Sequence, residues 1–333
     1  MNKFTLSLLF LLASLAASVS QAENSKTIEI LDERAYAYLS DNTQLTEHAS
    51  GFKWSEGPLW IEQGNYWIFS DIPNNRVMKF SEASGLETYL EPAGATGLHP
   101  TDSNGGSNGL LLNNKGQLVL TQHGDRRVAI MDAPLSEPEP KYTTMASHYM
   151  GKRFNSPNDG VFHSNGDLFI TDPPYGLNGG AKSQYRELDY TGIFAISPNG
   201  EVRLVDKSVD YPNGIGFSPD ETKMYIASSY SPKPAWYMFD INEKGKVSNK
   251  RTMFDATNFK KENKLSGLPD GMAVHSTGAV FATGPGGVWL FSEEGDLLAR
   301  IYTGKATANC ALSSDEKTLF ITAHDVVMSL PIK

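Results

Sequence analysis

Six oxygen-bearing side chains stand at equivalent places in six similar phrases of the sequence. Three of these phrases are SPNDG at 156–160, YPNGIGF at 211–217 and LPDGMAV at 268–274, and each leads from Pro, an Asn or Asp, and Gly into apolar residues. The aligned polar positions follow one another at intervals of 39 to 57 residues: Glu56, Asn108, Asn158, Asn213, Asp270 and Asn309. Each carries a carboxylate or amide oxygen, the ligand types that hard cations prefer.

Turn formation is the alternative reason for an Asn or Asp before Gly, because these residues tolerate left-handed backbone and bond to neighbouring peptide groups. Each phrase, however, has its own turn further on, such as HSNGD at 163–167, and Glu56 is a poor turn residue. The pattern therefore favours a cluster of converging oxygens. For Asn309, which precedes Cys310 rather than a glycine, a structural role is equally well supported.

Oxygen ligands without thiolate or clustered imidazole predict one divalent cation, Ca²⁺ before Mg²⁺, with Mn²⁺ and Zn²⁺ as alternatives. The carboxylates of Glu56 and Asp270 would balance its charge. Amides would fill coordination positions without adding charge, and the positions left open would take water and substrate.

The repeat length predicts the elements that hold this cluster. Each phrase continues through a turn into a second apolar strand, which reaches a Ser, Thr or Ala 13 or 14 residues after the polar position. Further strand-like segments follow, without long helical periodicity. Repeats of about 40 to 50 residues with four strands are typical of β-propeller blades. We therefore predict an all-β, six-bladed propeller of four-stranded antiparallel blades, with the first strand of each phrase innermost at the channel.

The two ends of the chain are predicted to close the ring. The last repeat has only HDVVMSLPI at 324–332 after its hairpin, so it lacks one strand. The segment KTIEILDERAYAYL at 26–39 is predicted to supply that strand, so that both termini share one blade and no open sheet edge remains. The loops between repeats are too apolar for linkers, which predicts one domain over 23–333.

The first residues predict export. Lys3 precedes an apolar stretch at 4–19, and small residues at 20 and 22 suit cleavage after Ala22, so residues 1–22 are expected to be a secretory signal peptide. A membrane anchor is the alternative, but the apolar run is short for a bilayer span. We expect a periplasmic or secreted protein without membrane attachment after cleavage.

Cysteine count and net charge exclude two further features. Cys310 is the single cysteine, which excludes an internal disulfide, and the net charge of −9 argues against a nucleic-acid partner.

Several motifs resemble the SMP-30/gluconolactonase/LRE-like family of six-bladed propellers: SEGPLW, SPNDG, DYPNGIGFSPDE and LPDGMAV. QHGDRRV and ANCALSSDEKTLFITA are similar to bacterial gluconolactonases, and the resemblance runs from about residue 50 onward. It implies a lactonase that opens sugar lactones with one divalent metal at the channel mouth. Asp270 is the implied acid/base, and the implied metal ligands are Glu56, Asn158, Asn213 and Asp270. Some relatives bind substrate through an Arg two residues before the first Asn, but Arg153 stands two before Asn155, so that role does not carry over directly.

Other residues near the repeats are candidates for contact with the substrate. His123, in TQHGDRR, is a candidate for substrate binding or proton transfer, although a lone histidine is more often structural. Asn108 and Asn309 are candidates for binding sugar hydroxyls. Tyr175, in TDPPYG, is a candidate wall of the pocket with core packing as its alternative, and the carboxylate of Asp172 has loop capping as its alternative.

Metal-assisted ester hydrolysis is the predicted reaction, with the cation polarising the lactone carbonyl and Asp270 steering or deprotonating water. Two alternatives stay open: a calcium-dependent arylesterase or phosphotriesterase on the same scaffold, and a binding propeller without catalytic activity.

Overall fold

Six antiparallel sheets of four or five strands, and one two-stranded hairpin of His148–Tyr149 and Lys152–Arg153, form this computed structural model, which describes residues 27–99, 101–103 and 105–333. The predicted signal peptide at 1–22 lies outside the described residues. The sheets follow one another along the sequence as the blades of a propeller. The predicted six-bladed fold is therefore confirmed.

The strands of the first three blades are given from the innermost outward. Blade 1 contains Ser55–Ile61, Tyr66–Asp71, Arg76–Ser81 and Gly85–Leu90. Blade 2 contains Ser107–Leu112, Leu118–Gln122, Arg127–Met131 and Tyr142–Ala146. Blade 3 contains Gly160–Phe162, Leu168–Asp172, Gly192–Ile196 and Val202–Asp206.

The last three blades include the two strands from the start of the described chain. Blade 4 contains Pro212–Phe217, Lys223–Ser228, Ala235–Ile241 and Val247–Asp255. Blade 5 contains Met272–Val274, Val280–Gly284, Gly287–Phe291, Leu297–Tyr302 and Ile28–Ile30. Blade 6 contains Asn309–Leu312, Thr318–Ala323, Val326–Pro331 and Thr46–Ser50.

Ring closure uses a different segment from the one expected. Thr46–Ser50 pairs with Val326–Pro331 and completes blade 6. The predicted closing segment at 26–39 instead gives Ile28–Ile30, which pairs with Leu297–Tyr302 and becomes a fifth strand at the edge of blade 5. Two segments from the start of the described chain thus protect the outer edges of neighbouring blades, and blade 6 combines a strand from each end of the chain. The prediction of closure is confirmed, and its assignment to residues 26–39 was wrong.

The blades pack against one another through aromatic and aliphatic side chains on both sheet faces. Between blades 6 and 1, Phe320 stacks on Trp67 with 4.7 Å between ring centroids. Between blades 4 and 5, Trp236 meets Trp289 at 5.0 Å. Burying one such side chain contributes on the order of 2 kcal/mol. The propeller is therefore held by these interblade contacts, as a chain with a single cysteine requires.

Hydroxyl groups add a regular bond between blades next to the channel. The Ser or Thr one residue before the end of the second strand donates to the backbone carbonyl of the polar residue in the following blade. Thr121 Oγ1 lies 2.5 Å from Asn158 O, and Thr171 Oγ1 lies 2.7 Å from Asn213 O. We call these contacts the hydroxyl bridges. They explain why a Ser or Thr recurs 13 or 14 residues after most of the polar positions.

Helical segments are few among the described residues. One α-helix, Thr257–Asn263, follows the last strand of blade 4, and its Phe259 packs edge-on against Trp289 with ring centroids 4.8 Å apart. Short 3₁₀ turns occupy Glu33–Ala37, Glu62–Gly64, Ile72–Asn74 and Gly180–Lys182. None of the described helices has the length and apolar character that crossing a bilayer would need.

Candidate active site

A local irregularity at the start of the innermost strands positions the polar side chains. In blades 1, 2 and 4 the pairing of the first two strands shifts register at or beside the polar residue, between Glu56 and Leu59, Ser107 and Leu110, and Pro212 and Ile215. Such bulges redirect side chains and are common beside active sites. Five of the six predicted positions line one cavity at this end of the channel: Glu56, Asn108, Asn158, Asn213 and Asp270.

Glycine follows the polar residue because the next blade approaches closely at that point. Gly57 has φ +52°, and a Cβ there would lie 2.1 Å from Asn108 O. A Cβ on Gly214 would lie 2.2 Å from Asp270 O. The polar–Gly pair of the repeat is therefore a packing requirement at the channel rather than a hairpin turn.

Asn309 does not occupy the repeated position, because the predicted alignment of the sixth phrase with the other five was wrong by one residue. The hydroxyl bridge from Thr283 Oγ1 reaches Ala308 O at 2.9 Å, so Ala308 is the sixth equivalent residue. Asn309 corresponds instead to Asp159, the residue after Asn158. Neither Asp159 nor Asn309 lines the cavity that the other five predicted positions share. The side chain of Asn309 packs against Gly271, and it fits there because glycine has no Cβ. A Cβ on residue 271 would lie 1.9 Å from Asn309 Cγ.

The cavity that the five polar residues share has a volume of about 950 Å³. We call it the main cavity. Its floor is the set of five polar residues, and apolar and aromatic groups form much of the wall. A cavity of this kind, with few polar groups converging in an apolar site, is typical of small-molecule binding.

Two carboxylates lie side by side on this floor. Burial raises the pKa of Glu56 to about 7, although the backbone N–H of Gly57 donates to Glu56 Oε2 at 2.7 Å and acts in the opposite direction. Burial also raises the pKa of Asp270 well above its usual range, and the charge of Glu56 adds to this effect. Two buried carboxylates without a cation between them resist ionisation. Such a pair is suited to a positive charge.

Unpartnered oxygen atoms mark where that charge would lie. Asp270 Oδ1 and Asn108 Oδ1 are buried and accept no hydrogen bond. The side-chain nitrogen of Asn213 donates to Ser229 Oγ at 2.9 Å, which leaves its Oδ1 as the acceptor. Buried polar atoms are nearly always satisfied, so orphaned acceptors in a cavity indicate a missing ligand. The donor set of two carboxylates and two amides fits a hard divalent cation.

Histidine and cysteine take no part in this donor set. Among residues 27–99, 101–103 and 105–333, no group of three or more His, Cys, Asp or Glu side chains is arranged to hold a metal. An ion in the main cavity would thus depend on the amide oxygens of Asn158 and Asn213 as well as on Glu56 and Asp270. This composition favours Ca²⁺ or Mg²⁺ over zinc.

His123 lies at the wall of the main cavity beside Asn108. Burial lowers the pKa of His123 to about 4, so the imidazole is neutral at pH 7. Asn108 Nδ2 and His123 Nε2 are 3.5 Å apart, at the outer limit of a hydrogen bond. A neutral imidazole with this pKa is a weak base but a good hydrogen-bonding group for a bound molecule.

Residues near the cavity differ in whether they face it. Tyr175 lines it, as expected for a pocket wall. Asp172 accepts hydrogen bonds from the backbone N–H groups of Asn155 and Ser156, both at 2.8 Å, so it caps a loop. Arg153 is not in the cavity lining, and its guanidinium binds Asp102 at 2.9 Å.

Three aromatic residues of the lining were missed by the sequence reasoning: Trp54, Tyr211 and Tyr230. A signal for two of them exists, because Trp54 and Tyr211 stand two residues before Glu56 and Asn213. Leu268 and Ala306 hold the same place before Asp270 and Ala308 and also line the cavity. The repeat thus specifies a second layer of the wall as well as the polar floor. Tyr230 lies in the loop after Lys223–Ser228, where no repeat identifies it.

Comparison with known proteins gives matches over nearly the whole chain. The model of the SMP-30/Gluconolactonase/LRE-like region matches residues 54–325. A gluconolactonase of Zymomonas mobilis is 35% identical over 329 residues, covering 95% of this chain and 90% of that protein. A pentonolactonase of Haloferax volcanii is 27% identical and covers 80% of each.

A solved structure agrees with these sequence matches. A gluconolactonase from Xanthomonas campestris superposes with a TM-score of 0.77 at 26% identity, covering 92% of this chain and 94% of that one. The resemblance inferred from the motifs is confirmed. The chain belongs to the SMP-30/gluconolactonase/LRE-like family.

Proposed function

We propose that this protein hydrolyses sugar lactones in the main cavity and that a divalent cation, Ca²⁺ first, is required. Lactone hydrolysis, a carboxylic-ester hydrolysis, is supported by the relatives named gluconolactonase and pentonolactonase. The single observation that carries the metal requirement is the buried pair of Glu56 and Asp270, with an unpartnered oxygen on Asp270. Export to the periplasm, predicted from residues 1–22, is part of the same proposal.

The ion would be held by Glu56, Asn158, Asn213 and Asp270. When bound there, a divalent cation supplies positive charge that polarises a lactone carbonyl and stabilises the oxyanion formed in hydrolysis. The chain itself prepares the site, because the starts of the innermost strands, which are bulged at Glu56 and Asn213, fix these side chains before any ligand arrives. A preorganised site loses little free energy in rearrangement on binding.

Asp270 is the proposed group that orients the attacking water and takes its proton. Its Oδ1 has no hydrogen-bond partner and is therefore free to accept one from water. The raised pKa of the metal-free carboxyl makes it a better base than an exposed aspartate, although a bound cation would lower that pKa again. Asp270 thus serves both as ligand and as the group that positions water.

Substrate hydroxyls are assigned to the side of the cavity formed by blades 2 and 3. Asn108 Oδ1 is unpartnered and would accept a bond from a hydroxyl. The neutral imidazole of His123 stands beside it, and Tyr175 lines the same cavity. Asn309 does not line the main cavity, so no contact with the substrate is assigned to it.

Two conservative variants test the assignment. Glu56→Gln and Asp270→Asn keep the shape of the side chains but remove one charge each. Each is expected to lower kcat/KM for δ-gluconolactone by about 10²–10³-fold, the usual cost of losing stabilisation of an oxyanion. A pH-stat assay measures the rate after subtraction of spontaneous opening, and circular dichroism checks folding. Full activity in both folded variants would exclude this site.

A further inference from the structure

The main cavity is larger than a single six-carbon lactone requires. Its volume of about 950 Å³ lies near the top of the range of about 300–1,000 Å³ for sites that bind drug-sized molecules. A monosaccharide lactone held at the floor by Asn108 and Asp270 would leave the outer part of the cavity unfilled. The outer walls therefore have room for a second group attached to the lactone.

Three tyrosines line this space, and their rings contact one another. The ring centroids of Tyr175 and Tyr211 are 5.9 Å apart with 38° between their planes. Those of Tyr211 and Tyr230 are 5.7 Å apart, and their planes are within 15° of parallel. We call these residues the tyrosine wall. It runs from the loop after the second strand of blade 3, through the entrance of blade 4, to a loop of blade 4.

The centre of this wall is held in an unfavourable backbone conformation. Tyr211 has φ +47°, a left-handed value that a bulky aromatic residue rarely adopts. Ser229 N donates to Tyr211 O at 3.1 Å, and Tyr211 N donates to Thr191 Oγ1 at 3.3 Å, which fixes that conformation. Strain of this kind persists mainly where function needs it. Here it positions an aromatic ring at the wall of the main cavity, two residues before Asn213.

A wall of tyrosines is better suited to binding a sugar than to binding an alkyl chain. Each tyrosine combines an aromatic ring with a hydroxyl group, so it matches both the C–H face and the hydroxyls of a hexose. Ser231 and Lys260 line the cavity as well and add polar groups near Tyr230. A wall selected for an apolar substituent would more naturally use Phe, Leu or Met in these places.

We propose that the substrate is an aldonolactone carrying a second sugar, whose ring stacks on the tyrosine wall. This inference rests on the proposed lactonase function and specifies its substrate class. The reaction breaks only the lactone ester bond. Water adds its oxygen to the carbonyl carbon, the ring oxygen leaves and takes a proton as a hydroxyl, and the acid formed then ionises. The glycosidic bond to the second sugar stays intact.

The test compares cellobiono-δ-lactone, whose second glucose is β-1,4-linked, with δ-gluconolactone in the full-length protein. We expect kcat/KM to be about tenfold higher for the disaccharide lactone, in line with one or two aromatic stacking contacts. Tyr230→Ala should remove most of this preference, lowering kcat/KM for the disaccharide lactone about tenfold more than for δ-gluconolactone, because it removes one ring of the wall.

Tyr230→Phe is the matched control and should keep the preference, since it keeps the ring. Equal rates on both lactones, with no effect of Tyr230→Ala, would overturn the inference and leave the lactonase proposal standing. Preference for an alkyl-substituted lactone that falls in Tyr230→Ala would overturn it in favour of an apolar substituent. Failure to open any of these lactones would remove the lactonase proposal as well.

Discussion

The two ends of the central channel are built from the same innermost strands, but they differ in whether the protein supplies hydrogen-bond partners to their polar groups. At the main cavity, Asp270 and Asn108 each keep a buried oxygen without a partner. Further along the same strands, a smaller cavity of about 370 Å³ is lined by Asp159 and Asn309. There, Gly160 N donates to Asp159 Oδ1 at 2.8 Å, and Asn309 Nδ2 donates to Glu56 Oε2 at 3.1 Å.

The difference separates polar groups that the fold satisfies from polar groups that await a ligand. Burial raises the pKa of Asp159 to about 7, as it does for Glu56. A shifted pKa alone therefore does not identify the active end. The orphaned acceptors and the larger volume at the main cavity do, because the fold supplies no donor to them.

The largest expected effect is on metal affinity. Glu56→Gln should weaken Ca²⁺ binding by about a hundredfold or more, since it removes a charged ligand. Asp159→Asn removes a half-buried charge that lies outside the donor set, and should weaken binding by less than about tenfold. Isothermal titration calorimetry measures both. Similar losses in the two variants would mean that general charge, rather than coordination, attracts the ion.

A smaller effect is expected on the pH dependence of stability, through Asp172. Burial raises the pKa of Asp172 from 3.8 to about 7, so the folded protein holds its proton more tightly than the unfolded chain does. This contribution to stability is complete below pH 4 and is lost as the pH rises to about 7. Asp172→Asn should therefore reduce the loss of stability between pH 5 and pH 8 by on the order of 2 kcal/mol.

Urea denaturation at the two pH values, with metal removed, gives these free energies of unfolding. Asn155 N and Ser156 N bond to different oxygens of Asp172, so the variant keeps an acceptor for only one of them. The comparison therefore uses the difference between the two pH values within each protein rather than the absolute stabilities. If the free energy of unfolding changes between pH 5 and pH 8 by the same amount in the variant as in the wild type, Asp172 is ionised in the folded protein at pH 5.

The hydroxyl bridges should contribute about 1–2 kcal/mol each. Thr171→Val removes the bond to Asn213 O but keeps the shape of the side chain. The free energy of unfolding is expected to fall by this amount, and Ca²⁺ affinity should fall with it because Asn213 loses its support. Thr222→Val, in the turn of blade 4 rather than at the channel, is the control for affinity. Weakened binding in both variants would argue against support of the site by the bridge.

The smallest effect on catalysis is expected at Asn309. Asn309→Ala removes a hydrogen bond to Glu56 from outside the main cavity. We expect kcat/KM for δ-gluconolactone to fall by about tenfold, the low end of the range for residues that orient a ligand. Asn108→Ala, on the cavity side, should cost more. A larger loss at Asn309 than at Asn108 would reverse the assignment of the two channel ends.

Much of this architecture follows from the repeat in the sequence. The spacing of the polar residues predicts six blades, and the position of each polar residue at the start of an innermost strand predicts a cluster at the channel. The error at Asn309 arose where blade 6 lacks a polar–Gly pair and has Ala308 at the equivalent position. The closing strand was also misplaced, because Thr46–Ser50 and Ile28–Ile30 are both short edge strands and only tertiary packing assigns each to its blade.

The wall of the cavity was harder to predict than its floor. Trp54 and Tyr211 share one place in the repeat, but their neighbours at that place are small or aliphatic, so no single residue type marks it. Tyr230 comes from a loop, whose path depends on contacts such as the ring of Tyr211. Loop residues of this kind follow no periodic pattern and need the folded structure.

The most direct test of the account is removal and return of the metal. Protein stripped with a chelator should open δ-gluconolactone no faster than the spontaneous reaction, and Ca²⁺ should restore the rate in step with the binding of one ion per chain. Asp270→Asn treated in the same way should regain little activity. A stripped protein that keeps its full rate would contradict the central claim that Glu56, Asn158, Asn213 and Asp270 hold a cation needed for hydrolysis.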